Sequence, residues 1–285
     1  MDNFLTFDIE EWYHANYAGV RQNKQANKYS RLDWQVKTLL ELCEQYAVRA
    51  TFFVVGEVAI KRKGLIKSIA QAGHEIASHG NHHRLVWEMT AKEFTKDLNE
   101  SVNILEQITG KKVRGFRAPS WSINKQIRSW YYQVLAENQI KYSSSVFPVS
   151  TPLYGIPDAT QAPHLTNAGV WEVPASVTKI AGKNWGFAGG FYLRILPFWA
   201  IRKFGDQLNR AGKPIVFYLH PREIDSLSPR MQLPLIDSWI HYLGVNGALN
   251  KIAEIISCQQ ASLRLTMGEV FSQNLNQIRY NISQE

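Results

Sequence analysis

The chain alternates short apolar runs with longer stretches in which apolar residues recur every three or four positions. Short runs of apolar and β-branched residues favour strands, whereas the wider spacing favours helices. In the first half of the chain this pattern predicts strands at 5–8, 50–55, 75–77, 115–117 and 140–143. Helices are predicted at 30–46, 58–72, 90–109 and 125–137. Such alternation predicts an α/β fold, with a parallel sheet, doubly wound or barrel-shaped, and helices outside it.

The alternation stops between residues 144 and 198, where prolines and glycines interrupt the pattern. We expect an inserted loop-rich segment there, with one strand at 170–173, inside a single domain that spans residues 1–285. Regular elements then return as a helix at 198–211, a strand at 214–219, a helix at 248–257 and a final strand at 263–265.

The composition is that of an ordinary globular protein, with 45% apolar and 20% charged residues among 285. The formal net charge is +8, but the basic residues occur in small groups and no nucleic-acid motif is present, so nucleic acid is not an expected partner. Attraction to an anionic membrane surface, attraction to a phosphate-bearing substrate and a merely solvated basic surface all explain this charge.

The cysteines indicate the compartment. Cys43 and Cys258 are too few and too distant for a disulfide framework, which fits a reducing environment. The first residues resemble no signal peptide, and the apolar runs fall well short of the roughly 20 residues that span a bilayer. We therefore expect a cytoplasmic protein, with peripheral membrane contact as a further expectation.

Side chains suited to catalysis follow four predicted strands, and these are Asp8 with Glu10, His79, Arg117 and His220. The carboxyl ends of parallel strands meet at one edge of a sheet, where α/β proteins build their sites. Asp8 and Glu10 are two positions apart, so their carboxylates point to the same side of an extended chain, whereas Glu11 points the other way. Loop caps, solvated charges and structural ion pairs are the competing interpretations of each residue taken alone.

Three of the eight histidines fall within five positions, at His79, His82 and His83. If the chain turned helically after the strand, His79 and His83 would share a face and hold one metal ion, with His82 as a competitor. Ordinary loop histidines are the alternative. Together with a carboxylate from another strand end, two imidazoles form a hydrolytic zinc-type site with open positions.

Four short motifs occur in the order found in the polysaccharide deacetylase family, the metal-dependent amide hydrolases of the nodulation-deacetylase type. They are Thr6-Phe7-Asp8-Ile9-Glu10, Ser78-His79-Gly80-Asn81-His82-His83, Arg117-Ala118-Pro119-Ser120 and Leu219-His220-Pro221. The sequence around the second and last motifs most resembles a subgroup linked to exopolysaccharide and surface-glycan biosynthesis. The resemblance implies an irregular (β/α) barrel with about seven strands.

The resemblance also implies a role for each matching position. Asp8 would be the general base, oriented by Arg117, and His220 the general acid. The metal ligands would be Glu10, His79 and His83. The backbone N–H of Ser120 would hold the oxyanion. Trp121 is a candidate substrate contact at the wall of a cleft, with a place in the core as the alternative.

The chain departs from the family pattern in three places. Ile9 stands where the family has its second, metal-binding aspartate, so Glu10 must substitute. Serines at 143–145 stand where the family often has an aspartate that tunes the acid histidine, and Asp225 or Glu223 could take over that role. Gly80 replaces a hydroxyl residue after the first metal histidine.

The activity implied by the resemblance is removal of N-acetyl groups from an amino sugar in a glycan or glycan precursor, for surface polysaccharide biosynthesis. The expected cofactor is a divalent metal, Zn first, with Co, Ni or Mn as alternatives. Nucleotide-linked or polyprenyl-diphosphate-linked sugars would suit the basic surface. A catalytically silent glycan-binding module is one alternative, and an amide hydrolase acting on a formamido sugar or cyclic ureide is another.

Overall fold

The structure is a computed structural model that describes residues 1–16, 29–151 and 154–272. The described strands are β1 Phe4–Ile9, β2 Ala50–Val54, β3 Glu75–Ser78, β4 Gly115–Phe116, β5 Tyr142–Ser143, β6 His164–Leu165, β7 Trp171–Glu172, β8 Val177–Ile180, β9 Lys183–Gly186 and β10 Val216–Leu219. The described α-helices are α1 Leu32–Gln45, α2 Gly56–Lys61, α3 Lys63–Gln71, α4 Ala91–Thr109, α5 Arg128–Glu137, α6 Gly190–Ile195, α7 Phe198–Arg210, α8 Leu235–Tyr242, α9 Val245–Gln259 and α10 Met267–Phe271.

Eight of the strands form one curled sheet in the order β10-β1-β2-β3-β4-β5-β7-β6, and β8 and β9 form a separate hairpin. Every neighbouring pair in the large sheet is parallel except β6 with β7. Helices cover the sheet, and the largest apolar cluster lies between them. The α/β prediction of an irregular (β/α) barrel is confirmed, with eight strands in place of about seven.

The order of the sheet explains how distant residues meet. Strand β10 pairs with β1, so the segment that ends at His220 lies beside the segment that ends at Asp8. Strands β1, β2, β3 and β4 then follow side by side in parallel. All four predicted motifs therefore leave the sheet at the same edge.

The helices predicted at 30–46, 90–109 and 125–137 are confirmed with shifted ends. Thr90 caps α4, its hydroxyl accepting from the N–H of Glu93, and Gly110 ends the helix with a left-handed φ of 69°. The single helix predicted at 58–72 is wrong, because the chain breaks at Arg62, where φ is −133° and ψ is 47°. There the Arg62 guanidinium lies 2.6 Å from a carboxylate oxygen of Glu11.

The segment at 144–198 is more regular than predicted. Instead of one strand it contains four, β6 to β9, together with α6. The strands are only two to four residues long and several of their residues are polar, so no apolar run reveals them. Ala181 and Gly182 connect β8 to β9 with φ of 49° and 78°, the left-handed pair that a tight hairpin needs. The boundaries of the insertion remain a prediction.

The strand predicted at 263–265 is wrong. Leu263 is fully buried, but its carbonyl accepts from the backbone N–H of Arg49 and not from a strand ladder. Thr266 then caps α10. The apolar residues at 263–265 reflect burial and not a strand. The sequence analysis also missed helices α8 and α10.

We predict that Gly115→Ala destabilises the protein by about 1–3 kcal/mol, because an added Cβ would lie 2.1 Å from Cζ of the buried Tyr142 ring. Gly64→Ala in α3 is the matched control, since its Cβ would meet no atom within 4 Å. Helix propensity should make that change neutral or slightly stabilising. Denaturant unfolding measures the free energy of unfolding of both variants. Equal values would contradict the close packing of Gly115 against Tyr142.

Candidate active site

The end of β1 places two carboxylates at the sheet edge, as predicted. Asp8 and Glu10 are both buried and face the same side. The carboxylate of Glu11 points elsewhere, accepting from Ser30 Oγ at 2.9 Å and pairing with Arg62. The two-residue period of an extended chain therefore separates the site carboxylates from their neighbour.

A loop, not a helical turn, brings His79 and His83 together. Gly80 and His83 adopt left-handed φ values of 76° and 51°. Asp97 of α4 lies under the loop, and its carboxylate accepts from the backbone N–H groups of Asn81 at 2.7 Å and His82 at 3.3 Å. A Cβ at position 80 would lie 3.0 Å from Asp97 Oδ2, which explains why glycine replaces the family's hydroxyl residue.

The His79 ring is fixed in one orientation. Its Nδ1–H donates a hydrogen bond to the carbonyl oxygen of Arg117 at 2.8 Å, which leaves the lone pair of Nε2 free. Nε2 faces Glu10 Oε2 at 3.9 Å and Asp8 Oδ2 at 4.0 Å. Burial lowers the pKa of His79 to about 4, so the ring is neutral at physiological pH, the form that binds metals.

Glu10, His79 and His83 each offer one ligand atom, and these atoms all lie within 4.8 Å of one another. His83 Nε2 is buried and makes no hydrogen bond within the described chain, although it lies 2.5 Å from Glu10 Oε2. Burial opposes ionisation of Glu10, but His83, Arg222 and His220 outweigh it and hold its pKa well below the usual range. An ionised carboxylate, a neutral imidazole and a second buried imidazole whose Nε2 faces that carboxylate together fit a divalent metal ion.

His82 lies outside this group. Its side chain is half exposed, and its Nδ1 lies 3.4 Å from Glu57 Oε2. Of the two candidates for the second imidazole, the geometry favours His83.

Arg222 is a site residue that the sequence analysis missed. Its guanidinium binds Oε1 of Glu10, which leaves Oε2 to face His79 and His83. Arg222 follows His220 by two positions, and the 3₁₀ turn at Pro221–Ile224 directs it toward β1. A turn predicted after His220 is the one sequence feature that could have indicated the contact between Arg222 and Glu10.

Arg117 holds Asp8 as the resemblance implied. Its Nη1 donates to Asp8 Oδ1 at 2.7 Å and to Thr6 Oγ1 at 2.9 Å. The other side of the guanidinium donates to the carbonyl and hydroxyl oxygens of Ser144 at 3.1 and 3.0 Å. Asp8 Oδ2 is therefore left to face the site.

The serines at 143–145 support Arg117. Beyond the contacts of Ser144, Ser145 Oγ accepts from the N–H of Ala118 at 2.9 Å. Trp121 is buried, and its ring lies 5.0 Å from the Arg117 guanidinium, on which Phe53 also packs at 4.1 Å. These contacts make Trp121 a support for the arginine, and its contact with substrate remains a prediction.

His220 completes the cluster from β10. Its Nε2 lies 3.8 Å from Asp8 Oδ2, and its Nδ1 lies 3.6 Å from Glu223 Oε1. Burial opposes ionisation of Glu223, but His220, Arg194 and Arg222 bring its pKa down to about 2. Asp225, the other candidate partner, binds Arg31 and Gln35 at 2.6 and 2.8 Å, so the geometry favours Glu223.

Ser120 occupies a strained turn beside Arg117. Ser120 and Trp121 both have left-handed φ values, 52° and 53°. Its backbone N–H donates to no group in the part of the chain that the structure describes. Strain of this kind is typical of functional sites, and a free N–H fits an oxyanion donor.

Comparison with known proteins shows similarity to two families. Residues 12–142 match the polysaccharide deacetylase family, and residues 144–267 match a domain of unknown function, DUF3473. A peptidoglycan deacetylase from Helicobacter pylori is 32% identical over 120 residues, 42% of this chain and 40% of that protein. The similarity to polysaccharide deacetylases therefore covers just under half of this chain and well under two thirds of that relative's length. The surface-glycan subgroup remains a prediction.

Solved structures show the same fold. A polysaccharide deacetylase from Mycobacterium smegmatis superposes with a TM-score of 0.62 at 20% identity, covering 99% of this chain and 93% of that one. A CE4 family pseudoenzyme from Bacillus anthracis superposes with a TM-score of 0.50 at 15% identity, covering 94% of this chain and 64% of that one. Because the fold hosts both, catalytic competence must be argued from the side chains of the site.

We predict that Glu10→Gln weakens zinc binding by more than about 100-fold, because it removes the only carboxylate of the three ligands. Glu11→Gln is the matched control, since its carboxylate points to Arg62. Isothermal titration of metal-free protein with zinc, with thermal melts to verify folding, gives both affinities. Wild-type affinity in the Glu10 variant would remove Glu10 from the ligand set.

Proposed function

We propose that this protein is a metal-dependent carbohydrate N-deacetylase. The observation that carries the proposal is the convergence of a base, an acid and a ligand group at one edge. Asp8 Oδ2 lies 4.0 Å from His79 Nε2 of the ligand group and 3.8 Å from His220 Nε2. A binding module has no need for an oriented base and an acid beside a metal site.

Glu10, His79 and His83 would hold the divalent ion, with zinc expected first and Co, Ni or Mn as alternatives. When bound, such an ion polarises a carbonyl and makes water more acidic. Arg222 contributes by holding Oε1 of Glu10, which keeps Oε2 directed at the imidazoles.

Asp8 acts as the general base in this proposal. Arg117 binds Oδ1, so Oδ2 is the oxygen that takes a proton from water as the water attacks the N-acetyl carbonyl carbon. The N–H of Ser120 donates to the oxyanion of the resulting tetrahedral intermediate, an interaction worth about 3–4 kcal/mol in comparable sites.

His220 acts as the general acid and protonates the leaving amine, so that acetate and a free amino sugar result. Glu223 remains ionised because its pKa lies near 2, and its Oε1 faces Nδ1 of His220. The 3.6 Å separation is longer than a hydrogen bond, as is common before substrate binds.

The substrate belongs to the proposal as well. Names of relatives such as the peptidoglycan-N-acetylglucosamine deacetylase of Bacillus cereus support an N-acetylated sugar. We extend this to a nucleotide-linked or polyprenyl-diphosphate-linked precursor in surface polysaccharide biosynthesis, because its negative charge suits a net charge of +8. A cytoplasmic location is supported by Cys258, which is exposed and unpaired. No helix of the described residues has the length and apolar character to cross a membrane.

We predict that Asp8→Asn lowers acetate release from an N-acetylated sugar nucleotide by about 10²–10⁴-fold, because the amide cannot accept the water's proton. The assay supplies zinc or cobalt, and bound metal is measured separately by elemental analysis. Zinc content should remain at the wild-type level. Retained turnover with normal metal content would exclude Asp8 as the base.

We predict that Glu223→Gln lowers kcat by roughly tenfold and leaves KM unchanged, because the amide removes the negative charge that faces Nδ1 of His220. Asp225→Asn is the matched control, because Asp225 contacts Arg31 and Gln35 instead. Steady-state kinetics of acetate release gives both constants. An unchanged kcat in Glu223→Gln, or the same loss in both variants, would exclude the positioning role of Glu223.

A further inference from the structure

Helix α8 exposes its apolar side chains. Leu235, Ile236 and Trp239 are 90%, 74% and 55% exposed. Positions three and four apart share one face of a helix, so these side chains form a continuous stripe. A stripe of this size on the surface of a soluble domain indicates an interaction site.

The opposite face of α8 is polar and points inward. His241 lies roughly opposite the stripe and is 8% exposed. The side chain of Arg194 from α6 donates to the carbonyls of Ile240, His241 and Leu243 at 2.6–3.0 Å. The helix is therefore held with its apolar face outward, the reverse of the usual arrangement.

The apolar surface continues from α8 onto α6. Phe191 packs on Trp239 with a centroid distance of 5.2 Å, and Ile195, one turn further along α6, is exposed. We call the surface formed by Phe191, Ile195, Leu235, Ile236 and Trp239 the apolar ledge.

The segment that carries the apolar ledge is rich in basic residues, because residues 190–251 contain eight Lys and Arg but four Asp and Glu. Arg202 and Lys203 of α7 are exposed, and so is Trp199 at the start of that helix. Exposed tryptophan beside basic residues is typical of surfaces that rest in the interface of an anionic membrane.

We propose that the apolar ledge docks this protein onto the surface of an anionic lipid bilayer. Leucine and isoleucine side chains offer no hydrogen bonds to a glycan, and a second copy of a chain with net charge +8 would be repelled. Arg194, which anchors α8, also lies 3.6 Å from Glu223, so a docked protein would hold its candidate active site near the lipid surface. This inference goes beyond the proposed activity and does not require it.

Vesicle sedimentation of the full chain tests the inference. The vesicles are phosphatidylcholine alone or phosphatidylcholine with about 30% phosphatidylglycerol. We expect wild-type protein to sediment with the anionic vesicles, and Leu235→Asp and Trp239→Asp to bind them at least about tenfold more weakly. The controls are Ile60→Asp on α2 and Trp34→Asp on α1, which alter apolar side chains that are 52% and 47% exposed outside the ledge and should bind as wild type does.

Failure of wild-type protein to sediment with anionic vesicles would overturn the inference, and so would equal losses in the ledge and control variants. Equal binding to both kinds of vesicle would overturn the part played by charge. Light scattering after gel filtration measures the molar mass of wild-type protein and of Trp239→Asp. A wild-type dimer that becomes a monomer in Trp239→Asp would overturn the inference and assign the ledge to self-association. Acetate release from a water-soluble substrate is measured in parallel, which separates failure of this inference from failure of the proposed activity.

Discussion

The buried ion pair between Arg117 and Asp8 is the interaction on which the candidate site depends. Its atoms lie 2.7 Å apart with both side chains almost fully buried. A buried charge is costly unless it is paired and hydrogen-bonded, and here the guanidinium also binds Thr6 and both oxygens of Ser144. Removing either partner should leave an uncompensated charge, at a cost of about 3–5 kcal/mol. The pair thus joins β1 to β4 and fixes which oxygen of Asp8 faces the site.

A second arrangement of the same kind controls Glu10. Arg222 binds one carboxylate oxygen, and the histidines face the other. Glu10 has a longer side chain than the aspartate that the family pattern would supply, so it needs a partner to fix its orientation. In both Asp8 and Glu10, an arginine binds one carboxylate oxygen and leaves the second oxygen facing the candidate site.

Helix α6 connects the candidate site to the surface of the protein. Gly190 at its start packs near Tyr218 and Glu223, and Arg194 one turn later anchors α8. The same short helix therefore contacts the partner of His220 and carries part of the apolar ledge. The match to a domain of unknown function covers this region and Glu223, whereas the polysaccharide deacetylase match covers His79, His83 and Arg117, so residues from both matches lie in the candidate site.

The sequence by itself determined the alternation of strands and helices, the edge of the sheet where the motifs end, and the shared side of Asp8 and Glu10. These follow from backbone periodicities, which act over a few residues and are visible in the order of apolar and polar side chains. The choice of His83 over His82 needed the tertiary structure, because a left-handed loop clamped by Asp97 sets it where a helical turn was expected.

Other features were decided only by the tertiary structure. Arg222 meets Glu10 across 212 positions of sequence, and no local pattern encodes such a pairing. The choice of Glu223 over Asp225 depended on Arg31, at the start of α1, and Gln35, within it, because both bind Asp225. The sequence analysis missed α8, and its outward apolar face is visible only in the structure, where Arg194 donates to backbone carbonyls at its end. The local sequence determines the strands and helices, whereas the packing of distant segments determines which charged side chains pair.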